Sequence, residues 1–300
     1  MDIRNLKQFI ALAQHLHFGK ASGACHVSLS ALSRTIRQLE TELGVALFTR
    51  DNRSVQITPQ GQTFLDYARN AVSEWDAIRH LVRDANGQLQ GEVSLYCSVT
   101  AVYSLLFDLF QRFRQDYPSI EIKLHTGDPD QGIARVISGE EDFAIAAHPK
   151  ALPRELAFKP ITVSPLVFIA AQEQPNLEHS LITPKTAQQW AAMPMVLPEG
   201  GLSRERIDAW FRAMDIAPTV YAQVAGNEAI VTMVSLGLGI GVVPKIVLDN
   251  SPTIERIQIL DVAPQLEAYD VGLLVLKKNL KNPLVNALWK SQVSLAPKPQ

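Results

Sequence analysis

Cysteine is scarce in this 300-residue chain: Cys25 and Cys97 are the only two. Two thiols so far apart make neither a disulfide framework nor a zinc site, and both read as small packing residues. The seven histidines show no HxxxH or HExxH spacing, which removes the common zinc patterns. No apolar run approaches the ~18 residues that a bilayer span needs. The opening MDIRNLKQFI lacks the basic, apolar, small order of a secretion signal, so a cytoplasmic chain is expected. GxSxG, P-loop and kinase motifs are missing. Gly237, Gly239 and Gly241 imitate a dinucleotide loop, yet they follow a helical stretch and lead into a strand closed by Pro244. A pyrophosphate loop needs the opposite order, strand then helix. The pair Glu140 and Glu141 reads as a solvated helix end. No cofactor and no metal are expected, and enzymatic activity is not supported.

What remains is an ordinary globular composition, 47% apolar and 19% charged, with length for about two domains. The net charge of −2 hides an asymmetry. Residues 1–58 carry seven Lys and Arg against four Asp and Glu, a net of +3, and the remainder therefore carries −5. A small basic head on a larger acidic body suits a polyanionic partner. A margin of three charges is modest, so pairing of chains would have to multiply the phosphate contacts.

The head is organised around Gly19–Gly44. Ile3 to Phe18 predicts a supporting helix with a buried stripe of Ile3, Leu6, Phe9, Ile10, Ala13 and Leu16. A short helix over Lys20–His26 and a turn at Val27–Leu29 follow, with Ser28 as the N-cap. A second helix runs from Ser30 to Leu43 and stops at Gly44. Leu32, Ile36, Leu39 and Leu43 fall on one face of it; Ser30, Ser33, Arg34 and Arg37 fall on the other. Guanidiniums can take phosphate oxygens or guanine O6 and N7 in two-pronged hydrogen bonds. Two hydroxyls and two guanidiniums facing outward are the inventory of a major-groove helix. Next, Asp51-Asn52 makes a turn flanked by Arg50 and Arg53, and Val55 and Ile57 alternate as a strand. This is a two-stranded wing with arginines at its tip, placed to follow the phosphate backbone or enter the minor groove.

Thr58-Pro59 starts a long helix. Phe64, Ala68, Ala71, Trp75, Ile78 and Val82 recur every 3.5 residues, the seam of a paired helix. About 28 residues span ~42 Å at 1.5 Å each, a natural dimerisation rod. Gly87–Gly91 is a linker. Beyond it strands and helices alternate in two units, which predicts parallel sheets and a hinged, two-lobed binding domain with ligand contacts at strand C-termini. Ser98, Thr100, Thr126, Asp128, His148, Ser203, Arg204, Asn227 and Glu228 all sit at such junctions. Their hydroxyls, together with free helix N-terminal N–H groups, can hold a small carboxylate.

The head segment HVSLSALSRTIRQLETELGVALFTRDNRSVQITPQG resembles the LysR-type transcriptional regulators, and the likeness extends over the whole chain. The resemblance implies an α/β chain with an N-terminal winged helix-turn-helix (1–58), a linker helix (59–89) and a two-lobed, periplasmic-binding-protein-like effector domain (90–300). Lobe I is expected to be 90–161 with 266–300, and lobe II 162–265. It further implies a homodimer or homotetramer on double-stranded promoter DNA, a small carboxylate inducer and contact with RNA polymerase. HFGKASGACHVS, RDNRSVQIT, CSVTAVYS, EIKLHTGD and AGNEAIVTMVSLG are similar to the branch of the family that activates isoleucine–valine biosynthesis, which implies acetolactate and acetohydroxybutyrate as inducers. Family members usually have Gln where this chain has Leu29, and Leu where it has Cys25.

Overall fold

Asp2 opens the first helix, its carboxylate accepting the backbone N–H of Arg4 at 3.4 Å, an acceptor for one of the amides a helix start leaves unpaired. The computed structural model describes residues 1–50, 54–83, 89–172 and 184–291. Helix α1 (Ile3–His15) ends at Leu16, whose left-handed backbone (φ 45°) returns its N–H to the Leu12 carbonyl. The helix therefore stops short of Phe18, and Leu16 is exposed rather than part of the buried stripe. Helices α2 (Phe18–Ala24) and α3 (Leu29–Leu43) follow. The Ser28 hydroxyl accepts the Ala31 N–H at 3.2 Å, and Gly44 closes α3 at φ 70°. Leu32, Ile36 and Leu39 are fully buried against Leu6, Phe9 and Leu12. Leu43, expected on the same stripe, is exposed at the last turn.

Strands β1 (Phe48–Arg50) and β2 (Val55–Ile57) pair antiparallel, with Phe48 opposite Ile57. The tip, with Asp51, Asn52 and Arg53, lies outside the described residues. Glu40 of α3 accepts the backbone N–H groups of Leu47 and Phe48 at 3.0 and 3.2 Å, tying the wing to the preceding helix. Thr58 then accepts the Gly61 N–H (2.9 Å) and donates to the Ala46 carbonyl (2.8 Å) as it caps α4 (Pro59–Arg83). Gly61 is required there: a Cβ would lie 2.1 Å from the Leu47 carbonyl oxygen.

The first turns of α4 belong to the head. The Phe9 ring stands 4.8 Å from that of Phe64 and 5.3 Å from that of Phe48. Ala68 is fully buried beside them, and Lys7 pairs with Asp76 at 3.1 Å. This corrects the expected seam. Phe64 and Ala68 are consumed by the chain's own core and Ala71 is half-buried against it, whereas Trp75, Ile78 and Val82 are 50%, 55% and 76% exposed.

The body holds two five-stranded sheets. The first contains β3 (Gly91–Cys97), β4 (Ile120–Thr126), β5 (Phe143–Ala147), β6 (Leu156–Ser164) and β12 (Tyr269–Leu276), in the order β4-β3-β5-β12-β6. Helices α5 (Val99–Asp116), α6 (Gly132–Ile137) and α11 (Pro283–Ser291) pack on it. The second contains β7 (Leu166–Ala171), β8 (Pro194–Pro198), β9 (Thr219–Val224), β10 (Ile240–Pro244) and β11 (Ile257–Ile259), in the order β11-β7-β10-β8-β9. Around it lie α7 (Ala187–Ala192), α8 (Gly201–Ala213), α9 (Asn227–Ser235) and α10 (Lys245–Asp249). Phe168, Trp190, Trp210 and Phe211 form its aromatic core, with ring centroids 5.0–6.4 Å apart.

The sheets are mixed rather than parallel. β3 is parallel to β4 and β5, and β8 to β9 and β10. The chain passes between lobes at Pro165, and again over residues 260–268, by direct connections rather than helical crossovers, so the strands flanking the crossings run antiparallel to their neighbours. β6 is an edge strand, which is where a strand can carry Pro160. No described helix is long and apolar enough to cross a membrane.

Phe9→Ala is expected to cost about 3–5 kcal/mol, the usual range for a buried ring. It should produce an early unfolding transition of the head in urea followed by circular dichroism. An unchanged profile would show that the three-ring contact does not carry the head.

Candidate nucleic-acid interface and ligand cleft

The exposed face of α3 is set by the burial of the opposite one. With Leu32, Ile36 and Leu39 inward, Ser28, Ser30, Arg34 and Arg37 are exposed and Ser33 is half-exposed. The Ser28 and Ser30 hydroxyls lie 3.1 Å apart at the helix start. Among the described residues, neither Arg34 nor Arg37 has a carboxylate within 4.0 Å, so both guanidiniums are available to an outside anion. Arg50 ends β1 on the wing that Glu40 holds beside this helix, and Arg53 lies outside the described residues. Both thiols are poor nucleophiles, since burial raises the pKa of Cys25 and pushes that of Cys97 up to about 12.

Between the lobes lies a cavity of about 420 Å³, within the size range of small-molecule sites. Ser98, Thr100, Ser203 and Asn227 line it. Ser98 caps α5, accepting the Ala101 N–H at 3.2 Å. Ser203 is hydrogen-bonded to the Tyr269 hydroxyl, whose pKa burial pushes up to about 12. Glu228 reaches across from α9, and its carboxylate accepts both the N–H (3.1 Å) and the hydroxyl (2.5 Å) of Thr100 on α5. Thr100 itself is 5% exposed.

The other expected residues are elsewhere. Thr126 ends β4 away from the cavity wall. Asp128 caps the turn Pro129–Gln131, accepting the Asp130 N–H at 3.1 Å, and borders a smaller recess of about 30 Å³. The His148 ring packs edge-on against Phe158, with centroids 4.6 Å apart. Arg204 is turned onto its own lobe by Asp208 (2.9 Å), the Pro198 carbonyl (3.0 Å) and Gln223 (3.3 Å).

Residue type and strand order did not reveal Asp130, Lys150, Glu205 or Tyr269, which also line the cavity. Asp130, from lobe I, presses its carboxylate onto the Gly201 backbone at the start of α8; a Cβ there would overlap it at 1.6 Å. Lost hydration, with Asp128 and Glu205 nearby, pushes its pKa up to about 6. Lys150 pairs with Glu205 across the cleft at 3.6 Å and is the one cation among the described lining residues. Glu228 and Asp130 thus cross the gap in opposite directions, Glu228 onto the Thr100 amide at the start of α5 and Asp130 against the Gly201 backbone. A second correction concerns Glu141, which is not solvated: it is 3% exposed and meets His125 Nδ1 at 2.7 Å.

Residues 3–62 match the bacterial regulatory helix-turn-helix protein, lysR family, and residues 86–292 match the LysR substrate binding domain. The chain is 40% identical to the HTH-type transcriptional regulator IlvY of Escherichia coli (strain K12) over 293 residues, covering 97% of this chain and 98% of that protein. It is 39% identical to the HTH-type transcriptional activator IlvY of Haemophilus influenzae, covering 96% and 99%. The fold is shared with full-length OxyR from Pseudomonas aeruginosa (TM-score 0.71, 23% identity, 97% and 94% covered). It is also shared with full-length CbnR in complex with its target DNA (TM-score 0.64, 21% identity, 97% and 98% covered). A head that frees its arginines, a two-lobed body with a cleft, and matches over nearly the whole length lead to one conclusion: this chain belongs to the LysR family of DNA-binding transcriptional regulators.

Proposed function

We propose that the chain is a cytoplasmic activator of an isoleucine–valine biosynthesis gene, induced by acetolactate or acetohydroxybutyrate bound between the lobes. The reading rests on full-length identity to the IlvY regulators and on a cleft whose helix-start donors are held by a displaceable carboxylate. Arg34 and Ser33 read bases or phosphates, with Ser28 and Ser30 at the helix start. Arg37, Arg50 and Arg53 grip the backbone. The head is residues 1–58, the rod 59–89 and the receptor 90–300. Two or four copies assemble, and an activator so assembled contacts RNA polymerase. The exposed Trp75, Ile78 and Val82 on the rod and Val99, Tyr103 and Phe107 on α5 support self-association.

The inducer's carboxylate takes the place of Glu228. Both donors of Thr100 are spent on that side chain, so an anion that uses them must evict it. Ser98 and Asn227 stand beside the vacated position, and Lys150 supplies the compensating charge.

Arg34→Ala is expected to weaken promoter binding by about 10–100-fold per half-site, the worth of one two-pronged contact, with the fold intact. Unchanged footprinting by that variant would remove Arg34 from the interface. Glu228→Gln should bind acetolactate roughly 10-fold more tightly in calorimetry, because a neutral amide holds Thr100 less firmly than a carboxylate does. Weaker or unchanged binding would show that no displacement occurs. Asp130, ionising near pH 6, opposes a second anion once charged. Inducer affinity should therefore rise as pH falls from 7.5 to 5.5, and among the described residues no histidine lines the cleft to produce the same trend. Asp130→Asn should flatten the profile; a persisting slope would exclude Asp130 as its source.

A further inference from the structure

One short helix touches both functional halves of the molecule. Its approach, the turn Pro129–Gln131, and its first residues supply Pro129, Asp130 and Ile133 to the cleft wall. Six residues later its far end lies on the rod. Arg69 of α4 donates to the Ser138 carbonyl at 3.1 Å and pairs with Glu140 at 3.0 Å. Gly139 follows the Ser138 cap of α6 at φ 69°, a left-handed backbone that favours glycine, and the Arg69 stem passes within ordinary contact distance of it. Arg135, on α6 itself, binds the other oxygen of Glu140 at 3.3 Å and approaches Glu141 at 3.6 Å. Its guanidinium sits 4.7 Å over the Tyr96 ring, and the Tyr96 hydroxyl donates to the Asp128 carbonyl at 3.0 Å. The polar chain is therefore continuous from Asp128, beside the cleft, through Tyr96, Arg135 and Glu140 to Arg69.

Two properties suit this path to carrying a signal. The helix cannot yield sideways, because Gly132 lies flat on β5, where a Cβ would come within 3.1 Å of the Ala144 side chain, and Val136 is fully buried. Close-packed contacts pass a displacement on rather than absorbing it. The network is also incompletely satisfied: Arg69 Nε and Glu141 Oε2 are buried without a hydrogen-bond partner. Buried polar groups left short of partners favour any rearrangement that supplies one.

We propose that α6 is the link that reports the state of the cleft to the rod, and that the Arg69–Glu140 pair is its terminal joint. Asp130 is the lever at one end; when it leaves Gly201, α6 shifts and the joint resets on α4. Arg69 and Glu140 are positioning residues, touching neither DNA nor inducer. The proposal extends the inducer reading above but does not require acetolactate to be the inducer.

The test is backbone hydrogen exchange on the full-length chain, read at α6 and at α4 around Arg69. Asp130→Asn perturbs the cleft without any ligand. It should change exchange of α4 amides around Arg69 by roughly 5-fold or more, the low end of ordinary coupling between sites. In a Glu140→Gln background, an isosteric change that keeps the helix intact, the same substitution should still alter α6 and leave α4 unmoved. An α4 indifferent to Asp130→Asn, or one that still responds with Glu140→Gln, overturns the link. Saturating acetolactate forms a separate arm. If it changes cleft and α4 exchange together in the parent chain but only the cleft with Glu140→Gln, the link is supported. A cleft response with a silent α4 in the parent chain overturns the link. If acetolactate leaves the cleft itself unchanged, the inducer assignment fails, and the Asp130→Asn arm alone decides the link.

Discussion

The contact of three aromatic rings, Phe9, Phe48 and Phe64, determines what the long helix can be. Phe9 of the first helix meets both Phe48 of the wing and Phe64 of the long helix, and Gly61 lies against the Leu47 carbonyl with no room for a side chain. The rod therefore leaves the head in one direction. Whatever orients its far half also orients α3 and its arginines. Burial of the first turns also shortens the apolar surface left on the rod for another copy to Trp75, Ile78 and Val82, whose side chains reach into solvent.

The receptor half follows a different rule. Its cleft holds more negative than positive charge among the described lining residues, with Asp130 and Glu205 against Lys150, and Glu228 adjoins them. That balance looks wrong for a carboxylate ligand until the placement of the acids is considered. One of them, Glu228, is set against the start of α5 in the opposite lobe, where an N-terminal dipole favours a negative group. Across the cleft Glu228 therefore occupies the donors of Thr100, and on the proposed reading an entering acid exchanges with that carboxylate instead of adding to it.

The head was legible in the sequence because its helices bury one regular stripe each. Leu32, Ile36 and Leu39 carry the period that fixes which way Arg34 and Arg37 face. The same periodicity misled at helix ends, where Leu16 and Leu43 fit the stripe but sit past the last packed turn. It misled again on the rod, since a 3.5-residue seam does not say whose side chains cover it, and Phe64 and Ala68 are covered by their own chain. In the body, strand-to-helix junctions pointed to Ser98, Thr100, Ser203 and Asn227 because a cap or first-turn residue is tied to one helix start. Tyr269, Lys150 and Asp130 arrive from chain crossings and turns, whose direction depends on how two sheets meet, and nothing in their local spacing records that. His148 and Arg204 had the right position along the chain, but each found a neighbour on its own lobe, Phe158 and Asp208.

Glu40 has a consequence for how such a head reads a duplex. A single carboxylate clamps the amides of Leu47 and Phe48, so the wing cannot swing independently of the helix before it. On the proposed reading, the distance between a groove entered by Ser30 and Arg34 and a strand touched near Arg50 is set by the protein, like the jaws of a fixed-gap gauge. Sites whose local twist or groove width departs from that gap must deform to fit, and selectivity among them then comes from the stiffness of base pairs the protein never touches.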